Sequence, residues 1–215
     1  MDYSTAPALV TTNLQLIMLY LIPLRLLLLA PPAVGDAEAE AKLPLVLPNR
    51  TRFPALHALY APLLRALRAG DLYAYRAHAH GAARKVLVHR HLAAAIERLE
   101  LFVVYALLSR VHAKLAETGD PSRIDIATLT RALSLSVASP HMRRQQLDTG
   151  IEPVETSPPD SSEQPEDEEE EESIEDGDTI AYLVQLISMG FIKGYVSPDN
   201  GVVVLRKTRP FVIEV

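Results

Sequence analysis

The sequence has no cysteine, no tryptophan and few aromatic residues of any kind. Without cysteine there is no disulfide, thiolate nucleophile or cysteine-based zinc or iron–sulfur site, which suits a reducing compartment such as the cytosol or the nucleus. The chain also lacks a Gly-rich phosphate loop, a nucleophile elbow and a pair of catalytic carboxylates. We therefore expect a protein that is not an enzyme and that uses no cofactor.

Lysine and arginine are missing from one acidic segment, and this segment hides the charge of the remaining chain. Between Asp148 and Asp178 there are 15 of the 27 acidic residues and none of the 21 basic residues. The remaining chain therefore carries 21 − 12 = +9, although the formal net charge is −6. A basic body favours polyanionic partners, either nucleic acid or an acidic protein segment. A solvated, arginine-rich helical surface is the alternative interpretation.

Four of the seven histidines form two His-x-His pairs, His78 with His80 and His89 with His91. Residues two apart on a helix point in nearly opposite directions, so neither pair is spaced to chelate a metal ion. We expect surface or packing roles for these histidines and no metal site.

A long apolar run occupies residues 14–30, where Pro23 and Arg25 interrupt it. Its length is at the short limit for a membrane span, and the residues before it contain no lysine or arginine, unlike a signal peptide. We expect a helix that packs against protein rather than a membrane segment, with an open face available to a partner.

The pattern that follows is helical. A helix is predicted over Pro54–Ala69 with Gly70 as its C-terminal stop, Asp71 can cap the next helix, and Gly81 can end it. Apolar residues at steps of three and four then predict the longest helix over residues 83–116.

The C-terminal third changes in character. Asp125 is placed to cap a short helix, and residues 139–177 are too polar to fold, which predicts a disordered acidic insertion. A helix over residues 179–189 is followed by a hairpin, in which Asn-Gly at 200–201 precedes the apolar strand Val202–Leu205. Helix, insertion, helix and hairpin together predict a winged helix. The predicted organisation is a helical part over 12–119, a winged helix over 120–138 and 178–215, and the insertion over 139–177.

These C-terminal residues resemble a known family. The run YLVQLISMGFIKGYVSPDNGVVVLRKTRPF is similar to the end of PCI-domain proteins, named for proteasome lid, signalosome and initiation factor. It is most similar to the Thp-type subunit of the nuclear mRNA-export complex and its signalosome-associated relative. The signature positions are Leu186, Ile187, Gly190, Ile192, Lys193, Gly194, Tyr195, Val203, Val204, Lys207, Pro210 and Phe211.

Three upstream runs agree with the resemblance in order: YLIPLRLLL, ALRAGDL and IERLELFVVYALLSRV. The chain departs from the family pattern in length, since members are roughly twice as long, and in the acidic insertion. The family's Tyr-Arg-Asn in the long helix is replaced by Val104, Tyr105 and Ala106.

The resemblance implies a mainly α fold in which a right-handed helical-repeat bundle leads into a C-terminal winged helix with a β-hairpin wing. It also implies a non-enzymatic scaffold subunit of a nuclear complex that couples transcription to mRNA export, present at nuclear pores and in part in the cytoplasm. The implied partners are a larger PCI scaffold protein, a small acidic Sem/Dss-type protein and nucleic acid. An assembly subunit of signalosome or proteasome-lid type, without nucleic-acid binding, is the alternative.

Two sets of basic residues are the candidate sites. Those near the predicted hairpin and the short helix are expected to contact nucleic acid, mostly at phosphates, although association with protein is the alternative: Lys193, Arg206, Lys207, Arg209, Arg131 and Arg123. Those on the helical face are expected to meet the small acidic partner, with a solvated face as the alternative: Arg65, Arg68, Arg76, Arg84, Lys85 and Arg90.

Two further hypotheses remain at this point. The acidic insertion is either an inert spacer or a segment that folds back on the basic winged helix and competes with nucleic acid. A free-standing winged helix that reads DNA bases is disfavoured, because the helix over 179–189 has no arginine or lysine.

Overall fold

The computed structural model describes residues 6–28, 41–42, 48–119, 122–141 and 174–214. Within these ranges the chain is mainly helical, as expected, with seven α-helices, a three-stranded antiparallel sheet and a two-residue parallel strand pair. The helices are α1 (Ala6–Leu27), α2 (Pro54–Ala69), α3 (Leu72–His80), α4 (Arg84–His89), α5 (Ala93–Thr118), α6 (Ile126–Val137) and α7 (Asp176–Ser188). The strands are β1 (Ala41–Lys42), β2 (Arg123–Asp125), β3 (Gly194–Ser197), β4 (Val202–Leu205) and β5 (Ile213–Glu214).

Helix α5 is the centre of the core. It contacts α1, α2, α3, α6 and α7, and its middle segment, residues 101–106, is buried around the whole circumference of the helix. An α-helix that is apolar on all sides is stable only when other elements surround it. The helices on either side of α5 along the chain therefore share one core.

The predicted single helix over residues 83–116 is wrong, because the chain breaks between α4 and α5. His91 adopts a left-handed backbone conformation with φ of 56°, and the Leu92 N–H donates to the Leu87 carbonyl at 2.8 Å. Leu87 and Leu92 would point to different faces of an unbroken helix. The break allows both side chains to be buried in the core, where they are 2 % and 4 % exposed.

The turn between α2 and α3 brings the backbone of one helix close to another. Gly70 ends α2 with φ of 66°, and Asp71 accepts a hydrogen bond from the Ala74 N–H at 3.0 Å, so both predicted signals are confirmed. A Cβ atom at Gly70 would lie 2.7 Å from the Leu107 Cα of α5. The Ser136 hydroxyl of α6 donates to the Gly70 carbonyl and accepts from the Leu72 N–H, so this turn fixes α2 and α3 against α5 and α6.

Two predictions near the C-terminal helices need correction, one about where a helix begins and one about a helix cap. Helix α7 begins at Asp176, within the predicted insertion, because Glu175 and Asp178 form a capping box and Ile174 is buried. Asp125 does precede α6, but its side chain makes no capping hydrogen bond, since Asp125 is part of β2 and pairs with Val202 of β4. The prediction of disorder falls mainly on residues 142–173, which lie outside the described residues.

The three-stranded sheet has the order β2-β4-β3. The predicted hairpin is confirmed: β3 and β4 pair antiparallel across a short 3₁₀ turn, Pro198–Asn200, which ends at Gly201 with φ of 62°. The buried Ile124 pairs with the buried Val203, and Val196 packs beside them, so these residues form the face of the sheet that is turned toward the core.

The C-terminal segment is attached to α5. The Tyr105 hydroxyl donates to the Ile213 carbonyl and accepts from the Ile213 N–H, each at 2.8 Å, and burial raises the pKa of this phenol to about 12. Phe191 and Phe211 pack edge-on against the Tyr105 ring. These contacts hold β5, and the loop before it, on the central helix.

Among the described residues, helix α1 packs against other elements on one side only. Leu19, Pro23 and Leu26 are buried, and the Leu19 carbonyl accepts a hydrogen bond from the buried Tyr60 hydroxyl. The other side carries exposed apolar residues: Leu16, Ile17, Tyr20, Leu21, Leu24 and Leu28. None of the described helices combines the length and apolar content needed to cross a membrane.

Candidate nucleic-acid interface

Four of the six cations predicted to contact nucleic acid lie together at one end of the three-stranded sheet. Lys193 precedes β3, while Arg206, Lys207 and Arg209 occupy the loop after β4. Lys193 is half-buried and the other three are exposed. We refer to these four residues as the sheet-end cluster.

Backbone hydrogen bonds bring the members of the sheet-end cluster together. The Arg206 N–H donates to the Lys193 carbonyl at 2.9 Å, and the Lys193 N–H donates to the Pro210 carbonyl at 2.8 Å. The loop thus folds back on the start of β3, where a bridge between Ile192 and Phe211 extends the contact. Both ends of the loop are therefore fixed to the same segment, and the cations between them are confined to one small region.

The loop contains an unusual backbone conformation. Arg209 has φ of 49°, in the left-handed region that costs a residue with a Cβ atom roughly 1–2 kcal/mol. The following Pro210 is buried and its carbonyl holds Lys193. The surrounding contacts offset the strain, so the direction of the Arg209 backbone is fixed.

A fifth predicted cation, Arg123, lies on the same sheet. Arg123 of β2 is paired in register with Val204 of β4, and Val204 is paired with Tyr195 of β3. Directly opposed residues of an antiparallel sheet point to the same face, so these three side chains form a row. Arg123 is exposed and Tyr195 is 60 % exposed, which shows that the row lies on the outer face of the sheet.

The sixth predicted cation, Arg131, is placed elsewhere. It is an exposed residue of α6, and its neighbour Thr130 bonds to Asp176 and Thr179 at the start of α7. Arg131 thus lies on the helix that packs against α7, whose first turn is acidic. The structure brings five of the six predicted residues to the sheet and its adjoining loop and leaves Arg131 on a helix.

Tyr195 is the residue of this surface that the charge pattern did not identify as a site residue. It lies two residues after Lys193, which immediately precedes β3, and residues two apart along an extended chain share a face. The spacing Lys-Gly-Tyr ahead of an Asn-Gly hairpin therefore indicated that Tyr195 lies on the same face as Lys193. Spacing alone does not show which face of the sheet is exposed.

The six cations predicted for an acidic partner are distributed over three helices and the loop after α4. Arg65 and Arg68 lie on α2, and the Arg65 Nε donates to the Ala61 carbonyl of its own helix at 3.1 Å. Arg84 and Lys85 lie on α4, followed by Arg90, and all three are exposed. An open groove of about 490 Å³ at α4 is lined by Gly81, Arg84, Lys85, Val88 and His89.

Arg76 differs from the other helical cations because it already has an acidic partner. Its Nε lies 3.0 Å from Glu100 Oε1 of α5, and its Nη2 contacts the same oxygen. Both side chains are largely shielded from solvent, at 20 % and 18 % exposure. Arg76 therefore joins α3 to α5, and its charge is compensated within the fold.

The histidine pairs do not converge on a common point. His78 Nε2 is 3.0 Å from the Leu59 carbonyl, which makes it a packing residue between α3 and α2. In the part of the chain that the structure describes, no group of three or more histidine, aspartate or glutamate side chains is arranged to hold a metal ion.

Comparison with models of known protein families and with characterised proteins finds no match to this chain.

Proposed function

We propose that the chain is a non-enzymatic scaffold subunit of PCI type, whose helical part leads into a winged helix that contacts nucleic acid. The carrying observation is the sheet-end cluster, in which Lys193, Arg206, Lys207 and Arg209 are held together by backbone hydrogen bonds. Cations fixed on one small surface favour a polyanion, and they contact its phosphates without reading sequence.

The order of elements supports the winged-helix part of this proposal. Strand β2 precedes α6, and α7 precedes the β3–β4 hairpin. In the sheet, the first strand pairs with the second strand of the hairpin, giving the order β2-β4-β3. A winged helix has this strand arrangement, with the hairpin as its wing. The α2–α3 and α4–α5 pairs that precede it are the elements that would form the helical repeats.

The cellular assignment rests on the resemblance to the Thp-type subunit. It places the chain in a nuclear complex that couples transcription to mRNA export, beside a larger PCI scaffold, in the nucleus and at nuclear pores. The small acidic Sem/Dss-type partner would meet the exposed cations of α4 and the loop after it, Arg84, Lys85 and Arg90. Complementary charge steers an acidic chain to such a surface, and the groove beside Arg84 and Lys85 leaves room for a segment that folds on binding.

A binding titration tests the nucleic-acid role. Replacing Lys193, Arg206, Lys207 and Arg209 with glutamine should weaken binding of a single-stranded oligonucleotide and flatten its salt dependence by about 0.7 in slope for each lost phosphate contact. The matched control replaces Arg50, Arg84, Arg90 and Arg98, all exposed and outside the sheet, so that the net charge changes equally. Equal losses of affinity in the two variants would refute a localised interface.

An assembly subunit of signalosome or proteasome-lid type is the second candidate, and two observations favour it. Strand β3 is an outer strand of its sheet, and Val184 of α7 and Met189 directly after α7 are exposed, at 51 % and 42 %. An outer strand and exposed apolar groups suit contact with another protein. Affinity purification with mass spectrometry separates the candidates: an export scaffold supports the first, and signalosome or lid subunits support the second.

A further inference from the structure

Tyr195 differs from the tyrosines of the core in its surroundings. Tyr60, Tyr75 and Tyr105 are buried, and each hydroxyl is hydrogen-bonded to a backbone carbonyl. Tyr195 is 60 % exposed, although it lies within a paired strand rather than in a loop. Tyrosine is enriched at binding interfaces, and a ring exposed on a paired strand is accessible to a ligand.

The backbone under Tyr195 is fixed by its pairing with β4. Tyr195 pairs with Val204, and the preceding Gly194 lies so close to β4 that a Cβ atom there would be 2.3 Å from the Val204 carbonyl oxygen. The ring therefore stands on a hairpin that cannot shift without breaking strand pairing. A tyrosine on a fixed backbone has only two side-chain torsions to restrict, so it loses little conformational freedom when a planar group stacks on its ring.

Cations lie in two directions from the ring. Along the chain, Lys193 is two residues earlier, just before β3, and the Arg206 N–H, just after β4, donates to the Lys193 carbonyl. Across the sheet, beyond Val204, lies Arg123 of β2. An aromatic ring with cations beside it matches the neighbouring base and phosphates of an unpaired nucleic-acid strand.

We infer that Tyr195 is a stacking platform for an unpaired base, which makes single-stranded nucleic acid the preferred ligand of this surface. This inference rests on the proposed nucleic-acid role and specifies its ligand. Bases in a duplex are already stacked and paired, so they cannot lie flat on Tyr195, whereas duplex phosphates still reach Lys193 and Arg206. Because every base has a π-face, the preference for unpaired strands is tolerant of sequence.

The test uses the full chain and two variants of Tyr195. Fluorescence anisotropy measures binding of an oligo-uridine, an oligo-thymidine and a mixed-sequence duplex, each of about 15 units, within the site sizes known for single-strand binders. Tyr195→Leu removes the π-face and keeps an apolar side chain, whereas Tyr195→Phe keeps the ring. Tyr20→Leu is the matched control, since Tyr20 is a partly exposed tyrosine of α1.

We expect Tyr195→Leu to weaken binding of both single strands about 5- to 100-fold and to change duplex binding by less than about twofold. Tyr195→Phe and Tyr20→Leu should bind as the wild type does.

Because the chain has no tryptophan, tyrosine emission is directly observable, and the quenching caused by a bound single strand should be smaller in Tyr195→Leu. Thermal melting confirms that each variant is folded. A difference between oligo-uridine and oligo-thymidine identifies RNA or DNA as the better source of the unpaired strand.

Three outcomes overturn the inference, and they can be distinguished from each other. If the wild type binds and glutamine replacement of the sheet-end cluster weakens binding, but Tyr195→Leu leaves the ratio of single-strand to duplex affinity unchanged, stacking fails and the proposed function stands. If Tyr195→Leu weakens duplex and single-strand binding equally, the side chain is structural. If the folded wild type binds no nucleic acid, the proposed nucleic-acid role fails together with the inference.

Discussion

The two basic surfaces predicted from the sequence differ in how the fold treats them. At the sheet end, four cations from two segments of chain converge because the loop of residues 206–210 is hydrogen-bonded to Lys193. On the helical side, six cations are spread over α2, α3, α4 and the loop after α4, and one of them, Arg76, is paired with Glu100. The first surface is concentrated and the second is dispersed.

This difference indicates that charged residues clustered in the sequence form one site only where the backbone holds them close together. The sheet-end cluster depends on a small hairpin and on the hydrogen bonds of a short loop. The helical cations depend on the packing of α2 and α3 against α5, since each helix sets the direction of its own side chains. Different substitutions should therefore disrupt the two surfaces.

The largest effect is expected from Gly70→Ala, which disrupts the helical side. The new Cβ atom would lie 2.7 Å from the Leu107 Cα, and φ of 66° is unfavourable for alanine. The combined clash and strain should lower the free energy of unfolding by about 2–5 kcal/mol, measured by chemical denaturation.

Two other glycines are controls that separate the causes. Gly201 has φ of 62° but nothing within 4 Å of a new Cβ, so Gly201→Ala should lose about 1–2 kcal/mol from strain alone. Gly177 in the first turn of α7 has an open Cβ position, and its replacement by alanine should lose no stability and gain at most about 1 kcal/mol. If Gly70→Ala lost no more stability than Gly201→Ala, the close approach to Leu107 would not constrain the fold.

A smaller effect is expected from Gly194→Ala, which disrupts the sheet side without removing a cation. The Cβ atom would lie 2.3 Å from the Val204 carbonyl oxygen, so β3 and β4 must separate locally. We expect a loss of about 1–3 kcal/mol in unfolding free energy, measured by chemical denaturation. Affinity for a single-stranded oligonucleotide should fall as well, with helical circular dichroism retained. Unchanged affinity in a destabilised protein would show that the hairpin does not organise the cations.

Local signals in the sequence predicted much of the fold. The stop at Gly70, the cap at Asp71 and the hairpin at Asn200 and Gly201 depend on residues within one turn, so they are visible without tertiary structure. The break at His91 was missed because it results from the burial of side chains before and after it. No glycine or proline marks that break.

The candidate site was likewise predictable where it depends on neighbouring residues and not where it depends on contacts between distant ones. Arg206, Lys207 and Arg209 are neighbours in sequence, and their position after a strand indicates a common loop. The pairing of Arg76 with Glu100 joins residues 24 apart on different helices, so no local pattern reveals it. The exposure of Tyr195 depends on which face of the sheet packs on the core.

The smallest effect is expected at Arg76, and it tests whether the helical cations act as one surface. Arg76 and Glu100 are largely shielded from solvent, so each is a poor partner for an external chain while the pair is intact. A double-mutant cycle with Arg76→Met and Glu100→Gln should give a coupling energy of about 1 kcal/mol in chemical denaturation.

Binding of a synthetic Asp/Glu-rich peptide should change by less than about twofold in Arg76→Met, because that charge is already neutralised. The matched variant Arg84→Met removes an exposed cation beside the α4 groove and should weaken the same peptide more. Equal weakening by the two substitutions would mean that Arg76 leaves Glu100 to bind the peptide, and that the helical cations form a single acidic-partner surface after all.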